Sequence, residues 1–401
     1  MKEKILDKSD ILDNLDNKNF LFKTKKYIII SSITLLSLLV TIILFFNRSI
    51  IVNFSSNSIN KLINKENDIN YSFVVEYITE SEDETIDLIN PNFESIISNL
   101  IIDGEQKEAC TSYNFKSKGI HKIYFTLNLE GVTSFEQMFY RNKYLTSISF
   151  SPSFNMENIT NVERWLQFCD NLLSLDLSHL NFGKVRSLRH AFSYNKNLKT
   201  VDLSNFYSET LDDFSAVFCY SNSLTFINLT NFNAPKLWEM IHTFRNCSSL
   251  ISIDFTNFRA PKLITLQSAF QDCISLKSVN LSSIESNDFR QMGDMFSGCY
   301  LIEFVYLPKI TIKKEMGLAR AFRKCYSLKS IDLNNMYSSS LSAEIFEECI
   351  NLTYIDISSF EFAPKNLFTN LPPKGEIKIS KKVYKDVIDL IPEDWTIILI
   401  K

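Results

Sequence analysis

The chain has 401 residues, only 8 glycines and a formal net charge of −4 at pH 7. A balance this close to neutral makes no electrostatic case for a nucleic-acid partner, and the scarce glycines assemble no phosphate-cradling loop. A chain of this length is too long for one small core and suits an elongated array with accessory parts.

Residues 1–26 are charged and lack an apolar period long enough to fold, which reads as a short cytoplasmic tail. Residues 27–46, YIIISSITLLSLLVTIILFF, contain no charge. As a helix such a run spans about 30 Å, the thickness of a bilayer core. A cleaved signal peptide would have a shorter apolar core followed by small residues. Here the run is long and ends in Phe45, Phe46, Asn47 and Arg48, so an uncleaved signal anchor is expected. Lys18, Lys23, Lys25 and Lys26 precede it, whereas Arg48 and Lys61 follow. The lysine excess places the N-terminus in the cytoplasm and the rest outside the cell or in a lumen. Residues 47–70 are polar and read as a stalk.

From Tyr71 the pattern changes. YSFVVEYI and TIDLI flank an acidic tip at 79–84, a strand-turn-strand signature. Ile96, Ile97 and Leu100 to Ile102 precede Asp103-Gly104, a hairpin-type turn, and 113–115 and 120–127 supply further strands. The expected organisation is a β-rich leader at 71–118, repeats at 119–375 and a C-terminal cap at 376–401.

A leucine-type anchor recurs at Leu145, Leu172, Leu198, Leu224, Leu250, Leu276, Ile302, Leu328 and Leu352, at intervals of 24 to 27 residues. Phenylalanine stands six before every anchor except in the second unit, where Leu166 replaces it, and apolar residues follow at plus three and plus five. A fixed period of this length means a solenoid. The segment from plus two to plus six alternates, so it predicts a short strand with plus three and plus five inward. Stacked, these strands form a parallel sheet on the concave face. The stretch leading into each phenylalanine is expected to form a helical turn on the convex side, giving an α/β solenoid. At the C-terminus, Ser380 is a suitable N-cap for a helix burying Val383, Val387, Leu390 and Ile391; Pro392 stops it, and 395–400 reads as a final strand.

Units such as AFQDCISLKSVNLS at 269–282, repeated with Phe322, Cys325, Leu328, Ile331, Asp332 and Leu333, resemble the BspA-like leucine-rich repeat family of surface proteins. The resemblance covers about 120–370 and includes the leader segments Ile102-Asp103-Gly104-Glu105 and Gly119-Ile120-His121. It implies display at the cell surface and binding or adhesion to host proteins, matrix or other cells, with no enzyme activity. Two departures stand out: Ala-Phe or Thr-Phe often replaces Met-Phe, and the membrane anchor is N-terminal.

Cys169, Cys247, Cys273, Cys299, Cys325 and Cys349 each sit three before an anchor, a placement that makes an inward stack of small side chains. There is no C-x-x-C or His-x-x-x-His spacing for a metal. A Cys273→Ser change, which leaves a hydroxyl without an obvious partner, is expected to cost about 1–3 kcal/mol. Cys110 and Cys219 fall off the ladder, as candidates for a disulfide or exposed thiols. His121, His179, His190 and His242 form no ligand or triad spacing.

The position four after each anchor is polar in most units: Ser149, Asp176, Asp202, Asn228, Asp254, Asn280, Asp332 and Asp356, with Tyr306 in the seventh. Flanked by Ser/Thr lanes, these residues would form an acidic stripe along the concave sheet. Two readings stand: the acids recruit cations or basic partner groups, or they are a solvated face accepting hydrogen bonds from the neighbouring hydroxyls. Phe226, Phe304, Tyr306 and Tyr354 interrupt the stripe with outward aromatic surface and are the better contact anchors. Of eight N-x-S/T sequons, the stalk sites Asn53 and Asn70 suit glycosylation best, because Asn228 and Asn280 would place a glycan on the sheet. The expectation is a single-pass protein at the cell membrane, array outside, binding a protein or glycan ligand without cofactor or metal. A lumenal or intracellular membrane-bound scaffold of the same fold is the alternative.

Overall fold

The computed structural model describes residues 71–400, apart from 287, 311–314, 335, 339–342 and 362–365. The tail, the apolar segment 27–46 and the stalk with Asn53 and Asn70 lie outside the described residues. Among the described residues no helix is long and apolar enough to cross a membrane.

The leader is an antiparallel sheet. Strands β1 (Phe73–Thr79), β2 (Glu84–Asp87), β3 (Ile97–Ile102), β4 (Glu105–Lys107), β5 (Ser112–Phe115) and β6 (Gly119–Leu127) precede β7 (Leu145–Phe150), the strand of the first coil. The main sheet has the order β4-β3-β6-β1-β7, with β2 and β5 paired separately. Strand β1 runs antiparallel to β7, so it covers the edge that an earlier coil would otherwise occupy. The sheet takes in Gly119–Leu127, so the leader runs past residue 118, where the repeats were expected to begin. Asp103 and Gly104, at φ 50° and 84°, turn β3 into β4 as the Asp-Gly pair predicted. His121 is buried on Phe115, with ring centroids 4.0 Å apart, and Asp103 Oδ2 lies 2.7 Å from its Nδ1.

Nine coils follow. Their concave strands are short: β8 (Ser174–Asp176), β9 (Thr200–Asp202), β10 (Phe226–Asn228), β11 (Ser252–Asp254) and β12 (Ser278–Asn280), then Phe304–Tyr306, Ser330–Asp332 and Tyr354–Ile357. They pair in parallel in three groups, β8 to β11, β12 with Phe304–Tyr306, and Ser330–Asp332 with Tyr354–Ile357, and equivalent positions face each other, as in Ile227 between Val201 and Ile253. All nine anchors are fully buried. The residues at plus three and plus five point inward through most of the array, for the pleat sends alternate side chains to one face.

The convex side differs from the expected helical turns. Among the described residues, helical segments are Pro91–Ile96, Lys381–Val387 and Ile388–Leu390, all outside the nine coils. The convex stretches are chains of tight turns, and the reason lies in their backbone bonds. In an α-helix each N–H reaches back four residues. Here Gln137, Phe139 and Arg141 donate instead to the carbonyls of Glu163, Trp165 and Gln167 in the next coil, at 3.0, 2.9 and 2.8 Å. The intervening Met138 and Tyr140 close three-residue turns within their own coil. Turning alternate amides toward the neighbour requires left-handed residues eight and four before each anchor, such as Ala216 at φ 54° and Tyr220 at φ 60°. The fold is therefore a parallel β-solenoid with little helix, and the α/β description is corrected.

Two phenylalanine spines run through this solenoid. The rings six before the anchors stack from Phe192 through Phe218, Phe244, Phe270, Phe296 and Phe322 to Phe346, with centroids 5.1 to 5.9 Å apart. Where Leu166 interrupts the series, Trp165 beside it is buried and lies 6.4 Å from Phe192. The second spine, Phe182, Phe206, Phe232 and Phe258, has spacings of 4.5 to 4.9 Å. Beside it, Asn205, Asn231 and Asn257 adopt φ near 60°, the left-handed region asparagine tolerates. Their amides form a ladder, Asn231 Nδ2 donating to Asn205 Oδ1 at 3.0 Å and Asn257 Nδ2 to Asn231 Oδ1 at 2.8 Å.

The C-terminal end continues the sheet. Strands Lys374–Ser380 and Asp394–Ile400 add in parallel beyond Tyr354–Ile357. Ser380 caps the helix Lys381–Val387, accepting from the Val383 amide. Val383, Val387 and Ile391 are buried as expected, whereas Leu390 is exposed because a 3₁₀ turn at Ile388–Leu390 rotates it off the helical face.

Phe270→Ala should destabilise the array by about 3–5 kcal/mol, since it opens a gap in a closed ring stack. Ser278→Ala, outward on β12, should stay within about 0.5 kcal/mol of wild type. Urea unfolding of both variants checks the register, and equal midpoints would contradict it.

Candidate functional site

The concave lane four after the anchors is held by side-chain caps. Asp176 Oδ1 accepts from the backbone N–H of Ser178 at 3.0 Å and from its hydroxyl at 2.7 Å. Asp202, Asp254, Asp332 and Asp356 accept from the amides two residues on, at 2.8 to 3.0 Å. Asn228 and Asn280 make the same bond. An Asp or Asn side chain that satisfies its own i+2 amide turns the chain out of the strand, which explains why either residue serves here. Hydrogen bonds from Ser178 to Asp176 and from Thr256 to Asp254 hold both carboxyls below the ordinary range. The lane therefore has a structural duty in every coil where Asp or Asn stands, and this carries the hydrogen-bonding reading of the stripe.

Asp356 departs from the expected stripe. It is 2 % exposed and its Oδ2 lies 2.9 Å from Lys378 Nζ on the adjoining strand. The added strand Lys374–Ser380 covers it, so Asp356 is an internal ion pair rather than a surface acid. Asp176 and Asp332 remain exposed, and Asp202 and Asp254 are half-buried.

The aromatic candidates face outward. Phe226, Phe304 and Tyr306 are 40, 47 and 59 % exposed, whereas Tyr354 is half-buried. Phe304 and Tyr306 occupy one face of one strand, opposite Ser278 and Asn280 of β12. Tyr306 also lines a cleft of about 210 Å³ with Ser282, Leu307, Pro308, Asp332 and Met336. The fold thus brings Tyr306 and Asp332 together. Phe226 stands three coils away between Thr200 and Ser252, and Tyr354 two coils beyond Phe304, so the four aromatics do not make one patch.

Inside, the cysteine slot is a ladder of donors. Cys169, Cys247, Cys273, Cys299, Cys325 and Cys349 each donate through Sγ to the carbonyl of the phenylalanine in the preceding coil, at 2.9 to 3.2 Å. Ser221 fills the slot with the same bond, Oγ to Phe192 O at 3.1 Å. The hydroxyl of Cys273→Ser therefore has a partner after all, in the Phe244 carbonyl, and the larger penalty expected from sequence does not apply. Burial pushes the Cys247 and Cys273 thiols well up, so they stay protonated donors and are poor nucleophiles. Cys219 is buried as well, its thiol pushed to about 12 by burial, and all eight cysteines are free. Among the described residues no group of three or more His, Cys, Asp or Glu could hold a metal.

Two family models match the repeat array. The family described as "Mycoplasma protein of unknown function, DUF285" matches residues 133–250, 186–304 and 212–336. The family described as "BspA type Leucine rich repeat region (6 copies)" matches residues 293–386. The chain belongs to the BspA-like leucine-rich repeat family. Among solved structures, it is 20 % identical to a leucine-rich repeat protein of T. pallidum (TM-score 0.28), over 58 % of this chain and 90 % of that one. A leucine-rich repeat protein of Bacteroides ovatus is 17 % identical (TM-score 0.27, 72 % and 90 %), and an internalin, InlF, of Listeria monocytogenes is 16 % identical (TM-score 0.25, 51 % and 66 %). No curated relative matches the chain.

Asp176→Asn should be nearly neutral at neutral pH, because Asn228 and Asn280 do the same work, whereas Asp356→Asn should be destabilising because it strips Lys378 of its pair. The lowered carboxyls of Asp176 and Asp254 contribute stability that is present above the ordinary aspartate value of about 4 and lost as pH falls through their folded values. Acid unfolding of Asp176→Asn should accordingly show a weaker pH dependence below about pH 4. Cys273→Ser should keep its unfolding free energy within about 1 kcal/mol of wild type.

Proposed function

We propose that the chain is a non-enzymatic binding protein of the cell surface, anchored by residues 27–46 with its N-terminus in the cytoplasm and its array outside. Its ligand is a protein or glycan, engaged on the concave sheet around Phe304 and Tyr306. The observation that supports this most is the pair of exposed aromatics on one short strand beside the cleft that Tyr306 shares with Asp332. Large side chains exposed on a polar sheet leave apolar area in water unless a partner covers it. Aromatic anchors of this kind dominate contact energies, and solenoids present extended curved surfaces to their ligands. The lysine bias before residue 27 supports the orientation. Glycans at Asn53 and Asn70 belong to the same proposal, for stalk sites keep them off the sheet.

Phe304→Ser combined with Tyr306→Ser should weaken binding by about 2 kcal/mol or more, roughly thirtyfold, with the unfolding midpoint held. Phe226→Ser, on a separate patch, should have less effect. The measurement is titration of a partner recovered by cell-surface pull-down against the full chain; unchanged affinity in the double variant moves the site off this strand. Labelling of intact cells tests the orientation independently: a tag at residue 401 should be reached and a tag at residue 1 protected, and the reverse pattern would reject it.

A further inference from the structure

The lanes of the concave face hold acids and no cations. Across the nine coils no lysine or arginine stands two, four or six residues after an anchor, whereas five aspartates do. Several acids off these lanes are paired, as Asp212 with Arg186, Asp294 with Arg320 and Glu303 with Lys329. In the lane itself, among the described residues, Asp356 with Lys378 is the one ion pair. Asp176, Asp202, Asp254 and Asp332 keep their charge uncompensated, so a partner complementary to this face is positive.

One place on the face is shaped to hold that charge. The ladder of concave strands breaks between Phe304–Tyr306, which pairs with β12, and Ser330–Asp332, which belongs to the C-terminal sheet. The cleft of about 210 Å³ lies at that break, lined by the two lane residues Tyr306 and Asp332. Val305, Leu307, Pro308 and Met336 supply apolar wall, and Asp332 is the charged residue of the lining. Both lane residues are exposed and within reach of a ligand. The cap leaves the carboxylate with room to accept more. Its Oδ1 takes the Asn334 amide at 2.9 Å, but its Oδ2 has Asn334 Nδ2 at 3.4 Å, beyond the roughly 3.2 Å that such bonds usually reach. Lys378, whose charge reaches Asp332 from two strands away, is held by Asp356 at 2.9 Å.

We propose that this cleft takes a lysine or arginine side chain of a protein ligand, its charge on Asp332 Oδ2 and its stem over the Tyr306 ring. The inference rests on the concave reading above and narrows the partner to a basic protein segment rather than a glycan. A tyrosine face attracts a cation, and the long stems of lysine and arginine cover apolar wall while the head stays on the acid. The volume falls below the roughly 300 Å³ at which pockets for whole drug-sized ligands begin, and so suits one side chain of a larger partner.

The test is saturation-transfer NMR of the full chain in detergent with N-acetylarginine N-methylamide and N-acetyllysine N-methylamide. Neutral N-acetylcitrulline N-methylamide is the isosteric control. At least one cationic probe should bind wild type, the tighter one naming the side chain, and the citrulline probe should bind about tenfold more weakly. Asp332→Asn keeps the amide cap, as Asn228 and Asn280 do, so the unfolding midpoint should hold while affinity falls about tenfold. Tyr306→Ser should weaken binding about fivefold. Asp176→Asn, the same change on remote β8, should leave it unaltered; a loss there equal to that at Asp332 would overturn the site in favour of the general charge of the face. No transfer to either cation, or citrulline binding as tightly, would overturn it too. A recovered partner weakened by Phe304→Ser with Tyr306→Ser but indifferent to Asp332→Asn would reject the basic class and leave the concave reading standing. A partner indifferent to all three changes would reject both.

Discussion

Everything in this array depends on the stacking of one coil's phenylalanine on the next. The rings six before the anchors lie 5.1 to 5.9 Å apart from Phe192 to Phe346, close to the spacing of neighbouring β-strands. That match lets the interior stack and the backbone ladders advance together. The same phenylalanine residues supply the carbonyls that accept the thiol or hydroxyl of the following coil, as Phe244 does for Cys273. Most turns of chain are thereby tied to their neighbours three ways: by rings, by amides on the convex turns, and by a buried side-chain donor. A solenoid with concave strands of three residues needs these lateral ties, because so short a strand contributes few ladder bonds of its own.

The two ends show what the middle of the array requires. At the start, β1 pairs antiparallel with β7 and closes the first coil, and Asn142 joins it to the leader by donating to the carbonyls of Asp87 and Leu88. At the finish, the added strand Lys374–Ser380 covers Asp356 and neutralises it with Lys378. The lane residue that is exposed in β8 is therefore internal at the end, although the same Asp with Ser two residues on stands in both coils. Position in the stack, rather than residue type, decides whether such an acid faces a partner or the core.

Two surfaces of this architecture depart from the repeat. On the concave side Phe304 and Tyr306 replace the hydroxyl and the Asp or Asn of other coils, so apolar area stands where the others have caps. On the convex side Ala216 replaces a long side chain and opens a cleft.

Much of this was legible in the sequence by itself, because a period of about 26 residues leaves little freedom. The anchors, the inward plus-three and plus-five positions, the cysteine slot, the Ser380 cap and the outward aromatics all follow from side-chain alternation and apolar spacing, which are local. Tertiary structure decided what depends on the neighbouring coil. The phenylalanine-led stretches have apolar spacing compatible with a helical turn, yet their amides bond laterally and force left-handed residues, which no single unit reveals. The thiol's partner lies 27 to 30 residues back in another coil, so Cys273→Ser looked costlier than it is. Asp356 was buried by a strand outside the period, and the cleft at Ala216 exists only because His190 and His242 flank it from adjacent coils. Periodicity states what each residue does within its own turn; stacking states what it meets.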